Sequence, residues 1–159
     1  MPRARQLAAR SALAVALAWM VWCAPDASAQ RSTLRIAVGE VAANDGDRAA
    51  ARALSEELER AIEQQPDVDL APRRRAELVL RGSLVRMTRE RVAGGLEVRC
   101  EISVIVTDGG GSIRAMLRGR GGARGGGDPA QLSTDALRAA VRGALRPLAS
   151  QGARLASAG

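Results

Sequence analysis

The chain has 159 residues, 24 basic and 17 acidic side chains, and a formal net charge of +7. Every basic residue is Arg, and Lys, His, Tyr and Phe are absent. Without His or Lys, a Ser-His-Asp triad, a Cys-His pair, a Ser-Lys pair and a Schiff-base lysine are excluded, and zinc would have only cysteine and carboxylates to bind.

Residues 1–10 carry Arg3, Arg5 and Arg10 and no acid, and Ser11 to Ala24 is uncharged and mostly apolar. Small residues follow, ending in Ala27-Ser28-Ala29. A basic start, a short apolar run and an A-x-A site make residues 1–29 a secretory signal peptide. The apolar run falls short of the about 20 residues a membrane-spanning helix needs; an uncleaved anchor is the alternative reading. Cys23 raises the further alternative of a lipid anchor. A lipobox wants a small residue just before the cysteine and Leu three before it, and those positions hold Trp22 and Met20. Cleavage after Ala29 is therefore expected. The exported chain then begins at Gln30, has no lipid and no transmembrane span, and resides in the periplasm or is secreted. Its length suits one domain with one core.

Leu34, Ile36 and Val38 alternate with Arg35 and Ala37, the period of a strand. Asn44-Asp45-Gly46-Asp47 reads as a loop with a helix cap. Ala50, Leu54, Leu58, Ala61 and Ile62 then recur at helical spacing, with Glu56, Glu57, Glu59, Arg60 and Glu63 assigned to the opposite face, and Pro66 ends the helix. Val68 and Leu70 form a short strand, and Pro72 to Arg75 a polar turn. Leu78-Val79-Leu80 begins a longer strand that runs towards Val92. Gly94-Gly95 signals a hairpin. Leu96, Val98, Cys100, Ile102, Val104 and Val106 share one face of the next strand. Glu97, Arg99, Glu101, Ser103 and Thr107 share the other, with Ile105 as the exception. Asp108 to Ser112 is a second turn, and Ile113, Ala115 and Leu117 open a last strand. Gly119 to Gly127 is expected to be a flexible linker. Asp128-Pro129 starts a helix as cap and first residue, with Gln131 at the third position after the cap. Its stripe is Leu137, Ala140, Val141, Ala144, Leu145 and Leu148. Pro147 is expected to bend or end it, and 151–159 to be a disordered tail.

The order is β-α-β-β-β-β-α. A meander with one apolar face needs a cover, and two amphipathic helices supply it. The expected fold is an α+β two-layer sandwich over residues 30–150, with a mixed, mostly antiparallel sheet and both helices on one face. The first strand, joined onward through a helix, can lie parallel to a neighbour.

The segments LRIAV (34–38), LSEELERAI (54–62), DVDLA (67–71), AELVLRGSL (76–84), LEVRCEISVIVTD (96–108) and ALRAAVRGAL (136–145) carry a resemblance. In this pattern the chain resembles the N-terminal domain family of the periplasmic Tol-system protein TolB. It is similar also to related envelope domains in the curli-secretion and penicillin-binding-protein activator lipoproteins. The resemblance implies a non-enzymatic domain that docks onto an envelope protein, and it contains no chemical motif. The acylated cysteine of the lipoprotein relatives has no expected counterpart here.

Several residues invite a functional reading. Cys100, the one cysteine left after cleavage, could pair with another chain; its apolar phase assigns it to the core instead. Asp67 with Asp69, and Asp45 with Asp47, could grip a hard cation, yet such acids more often end strands or cap helices. No metal, cofactor or catalytic residue is therefore assigned. The run from Arg118 to Gly127 resembles an arginine-glycine box, but it lacks aromatic partners, and nucleic acid is not an expected ligand. Arg99, Arg114, Arg118, Arg120 and Arg124 could form a basic face for anionic lipid or polymer. Interleaved Glu97 and Glu101 argue instead for ion pairs on a solvated sheet. The leading expectation is an exported accessory protein acting through protein–protein contact; the alternative is a basic binder of anionic envelope polymer or lipid.

Overall fold

Apolar alternation and helical periodicity together build a sheet covered on one side by two helices. The computed structural model describes residues 33–43 and 47–157. The predicted signal peptide, its cleavage site, Cys23 and the loop residues Asn44 to Gly46 lie outside the described residues.

Strand β1 (Leu34–Ala43) leads to helix α1 (Arg48–Glu63), strand β2 (Val68–Leu70) and a 3-10 turn at Arg73–Arg75. Strands β3 (Leu78–Val92), β4 (Gly95–Asp108) and β5 (Ile113–Gly125) follow, then helix α2 (Pro129–Ser157). Asp47 caps α1, its Oδ1 accepting the N–H groups of Ala49 and Ala50 at 3.0 Å each, which satisfies donors that have no partner inside the helix. The β3–β4 hairpin turns on Gly94 and Gly95, whose φ values of 90° and 140° suit only glycine.

The sheet order is β2-β1-β3-β4-β5. β1 runs parallel to both β2 and β3, because α1 and the following turn carry the chain back to the same end. The two antiparallel ladders, β3–β4 and β4–β5, are much longer and dominate the sheet. The architecture is the expected mixed α+β sandwich.

Both helices lie on one face. Val98, Cys100, Ile102, Val104 and Val106 of β4 are buried there with Ile36 of β1, Leu78, Leu80 and Leu84 of β3, Leu54, Leu58 and Ile62 of α1, and the α2 stripe from Leu132 to Leu148. Burying a side chain of this size is worth about 1.5–3 kcal/mol, and this single apolar cluster holds the layers together.

Four local expectations need correction. Gly119 to Gly125 is the second half of β5, paired residue by residue with β4 from Glu101↔Arg120 to Leu96↔Gly125. Its glycines are there for close approach. A Cβ on Gly119 would lie 2.0 Å from the Ala140 carbonyl oxygen, and one on Gly121 would lie 2.2 Å from that of Ala136. Strand and helix backbones meet where no side chain fits. Second, Pro147 does not end α2 but lies inside it. It removes one N–H bond, the one that would reach Gly143. Buried Leu145 and Leu148 flank it, so packing carries the helix through. Third, α2 stays helical to Ser157, across the segment expected to fray. Fourth, Glu57 turns inward and is only 5% exposed. Its carboxylate pairs with Arg60 and, at 3.5 Å, with Arg138 of α2. The charge is buried only because guanidinium groups from both helices meet it.

Candidate functional site: the outer face and free edge of the sheet

Among the described residues, both helices pack on one face of the sheet and neither on the other. Paired residues on neighbouring strands share a face, so the register defines the outer surface in rows. At one end stand Ala37, Val79, Thr107 and Ile113, then Arg81, Ile105 and Met116. Next come Ser83, Ser103 and Arg118, then Arg86, Glu101 and Arg120. The last rows are Thr88, Arg99 and Gly122, and Glu90, Glu97 and Arg124. The outer face therefore has an apolar end and a charged end. Ala37 and Val79 are buried although they lie outside the core cluster. Ile113 and Met116 stand 63% and 64% exposed. Ile105, the residue that broke the alternation, belongs to this apolar end.

The charged end forms a shallow cleft of about 510 Å³, lined among others by Arg86, Thr88, Glu90, Glu97, Arg99 and Arg120. Its walls carry both signs, so it presents no uniform potential to an anion. The five arginines assigned to a basic face have separate fates. Arg99 Nε meets Glu97 at 2.7 Å, and this hydrogen bond, ahead of the charge attraction, raises the guanidinium pKa further. Arg120 reaches Glu101 across the strands at 3.2 Å. Arg114 sits in the irregular stretch of β5 near the turn and grips Asp108 through Nη2 at 2.6 Å and Nε at 3.1 Å. Asp108 also accepts the N–H of Ser112 at 2.8 Å. That backbone bond, then Arg114, holds its carboxyl below the usual carboxylate range. Arg124 donates to the Ala93 carbonyl oxygen. Arg118 is exposed on the outer face between Met116 and Arg120. Two of the five, Arg99 and Arg120, thus serve ion pairs with the interleaved acids, the pattern of a solvated sheet, and a third, Arg114, pairs with the turn acid Asp108.

The remaining candidates resolve as structural parts. Cys100 is 3% exposed, and desolvation pushes its thiol up to about 11. A thiol held neutral is a poor nucleophile. Asp47 is the α1 cap; Asp45 lies outside the described residues. Asp69 pairs in register with Arg35 at the β2 edge. Among the described residues no group of three His, Cys, Asp or Glu side chains comes together as metal ligands would, and no helix is long and apolar enough to cross a membrane.

What sequence reasoning missed is the edge. β5 is thirteen residues long and, among the described residues, has a strand on one side only. Its outward positions Arg118, Arg120, Gly122 and Arg124 follow a strict period of two. The signal was present as Arg-Gly-Arg-Gly, and the glycines disguised it as a linker.

The sequence matches no protein-family model and no curated protein. Solved structures do share the fold. The PelC dodecamer from Paraburkholderia phytofirmans superposes with a TM-score of 0.57 at 15% identity, over 74% of this chain and 89% of that one. A protein of family DUF330 from Xanthomonas campestris gives a TM-score of 0.56 at 12% identity, over 78% and 85%. A hypothetical protein from Chlamydia trachomatis gives 0.54 at 11% identity, over 80% and 99%. At these identities the likeness is one of fold.

Proposed function

We propose that the chain is an exported, non-enzymatic accessory protein of the bacterial envelope that works through protein–protein contact. The observation that carries this reading is the fold, which it shares over most of its described length with PelC, a protein that assembles as a dodecamer. The leader pattern of residues 1–29 supports export. The resemblance to the TolB N-terminal domain and its relatives supports docking as the mode of action. The lack of His and Lys removes the commonest nucleophile and base pairs, and Cys100 is buried.

Capture of the tagged chain from envelope fractions after cross-linking in cells tests the reading. A specific envelope protein recovered in stable ratio is expected. Repeated recovery of the bare chain, with catalysis or lipid binding in its place, contradicts it. Binding to anionic lipid or polymer is the weaker alternative, because Arg99, Arg114 and Arg120 already face acids. It requires co-sedimentation with anionic vesicles that weakens steeply as salt rises.

A further inference from the structure

We infer that the free edge of β5 receives an extended, acidic segment of the partner protein, which adds to the sheet as a sixth strand. The inference rests on the protein-contact reading above and names the surface that makes the contact.

The two edges of the sheet differ. β2 is three residues long and stops just before Pro72, which leaves little backbone to extend. β5 offers thirteen residues, about 40 Å of strand. Among the described residues β4 is its one ladder partner, and no other backbone hydrogen bond joins it to another element. Unpaired N–H and C=O groups along such an edge are a template for another strand. α2 packs against the inner face of β5 at Gly119 and Gly121 and so holds the edge rigid.

Charge selects the occupant. The strand reads IRAMLRGRGGARG and contains no acid. Arg118, Arg120 and Arg124 project from one face at alternate positions. A second copy pairing antiparallel about Gly119 would set Arg118 against Arg120, and about Gly121 it would set Arg118 against Arg124. Like charges directly opposite destabilise a sheet, so the edge disfavours its own copy. An incoming strand with Asp or Glu at alternate positions meets Arg118 directly, shares Arg120 with Glu101, and shares Arg124 with the Ala93 carbonyl. Ladder bonds then supply affinity, and the arginines set orientation and preference.

The test uses the purified full chain and short synthetic peptides, with binding read by fluorescence anisotropy. One peptide alternates Glu with Val or Thr; a second carries Arg for Glu. Two further acidic peptides have every other backbone amide N-methylated, in opposite phases. The acidic peptide should bind, and the basic one should not. One methylation phase should abolish binding and the other should spare it, because only one edge of the added strand faces β5. The double variant R118E/R124E should bind the acidic peptide roughly tenfold more weakly or worse, while a cooperative melt, lowered modestly because a carboxylate at 124 would face Glu97, shows that it still folds. Equal binding of both methylated peptides would reduce the contact to charge alone and overturn strand addition. Failure of every acidic peptide also overturns it, as does a dimer that R118E/R124E disrupts. An envelope partner captured equally well by parent and R118E/R124E would leave the protein-contact reading standing and place the contact on another surface.

Discussion

Strands β4 and β5 lie side by side under α2 and bury themselves by opposite means. β4 fills space: Val98, Cys100, Ile102, Val104 and Val106 project into the core. Much of β5 withdraws from it: Gly119 and Gly121 have no side chain, and the α2 backbone at Ala136 and Ala140 comes down onto the strand. The filled mode is read easily, because branched side chains at a period of two announce a half-buried strand. The withdrawn mode imitates flexibility. The lesson is that glycine in a strand can mark an absence required by a neighbour.

Substitutions separate the two modes, and the largest effect belongs to the withdrawn strand. Gly119→Val would force a side chain into the Ala140 carbonyl, which is backbone and cannot rotate away. Displacement of α2 should follow, with loss of about 3 kcal/mol or more and exposure of the α2 stripe; increased dye binding to apolar surface and a lowered denaturation midpoint would report it. Ile102→Ala, in the filled strand, removes a side chain with no exposure and should cost about 2–5 kcal/mol while leaving the sheet's spectrum unchanged.

A smaller effect concerns Cys100. Its folded thiol titrates at about 11 against an ordinary 9.0. A raised folded value means the stabilising difference is complete below pH 9.0 and disappears as pH rises through about 11. Stability should therefore decline over that window, and Cys100→Ala should flatten the decline in urea titrations at several pH values. The native thiol should also resist alkylation until the chain unfolds. Arg118→Glu should change stability least, within about 0.5 kcal/mol, since the residue is exposed and has no packing role.

Much of this fold is legible in the residues, and the unread parts have physical reasons. β1, α1 and the α2 stripe follow from apolar periodicity, and the β3–β4 hairpin from Gly94-Gly95. The continuous run Leu78-Val79-Leu80 hides its alternation because Val79 is buried on the outer side too. Helical phase puts Glu57 beside the buried stripe, three residues after Leu54 and four before Ala61, and only its charge argues for solvent; the partner that offsets the charge, Arg138, arrives from a helix far along the chain. Local propensity makes Pro147 a bend or a stop, whereas the burial of Leu148 that carries the helix past it is tertiary. The candidate surface is only half legible. Five arginines can be named, but not that Arg114 closes a turn on Asp108 or that Arg118 and Arg124 line a free edge. Ile113 and Met116, exposed together at the apolar end, give no signal beyond their hydrophobicity.

The account depends on residues 119–125 being a strand clamped beneath α2, and adjacent glycines test this most directly. Gly121 faces the helix with backbone atoms within 2.2–2.4 Å of any added Cβ, while Gly122 faces outward with its nearest contact at 3.6 Å. Thermal denaturation of Gly121→Ala and Gly122→Ala, measured side by side, should show the first destabilised by about 2–3 kcal/mol and the second unchanged or more stable by up to about 1 kcal/mol. Equal, negligible effects at both positions would mean a mobile linker, and would contradict both the clamped strand and the edge it presents.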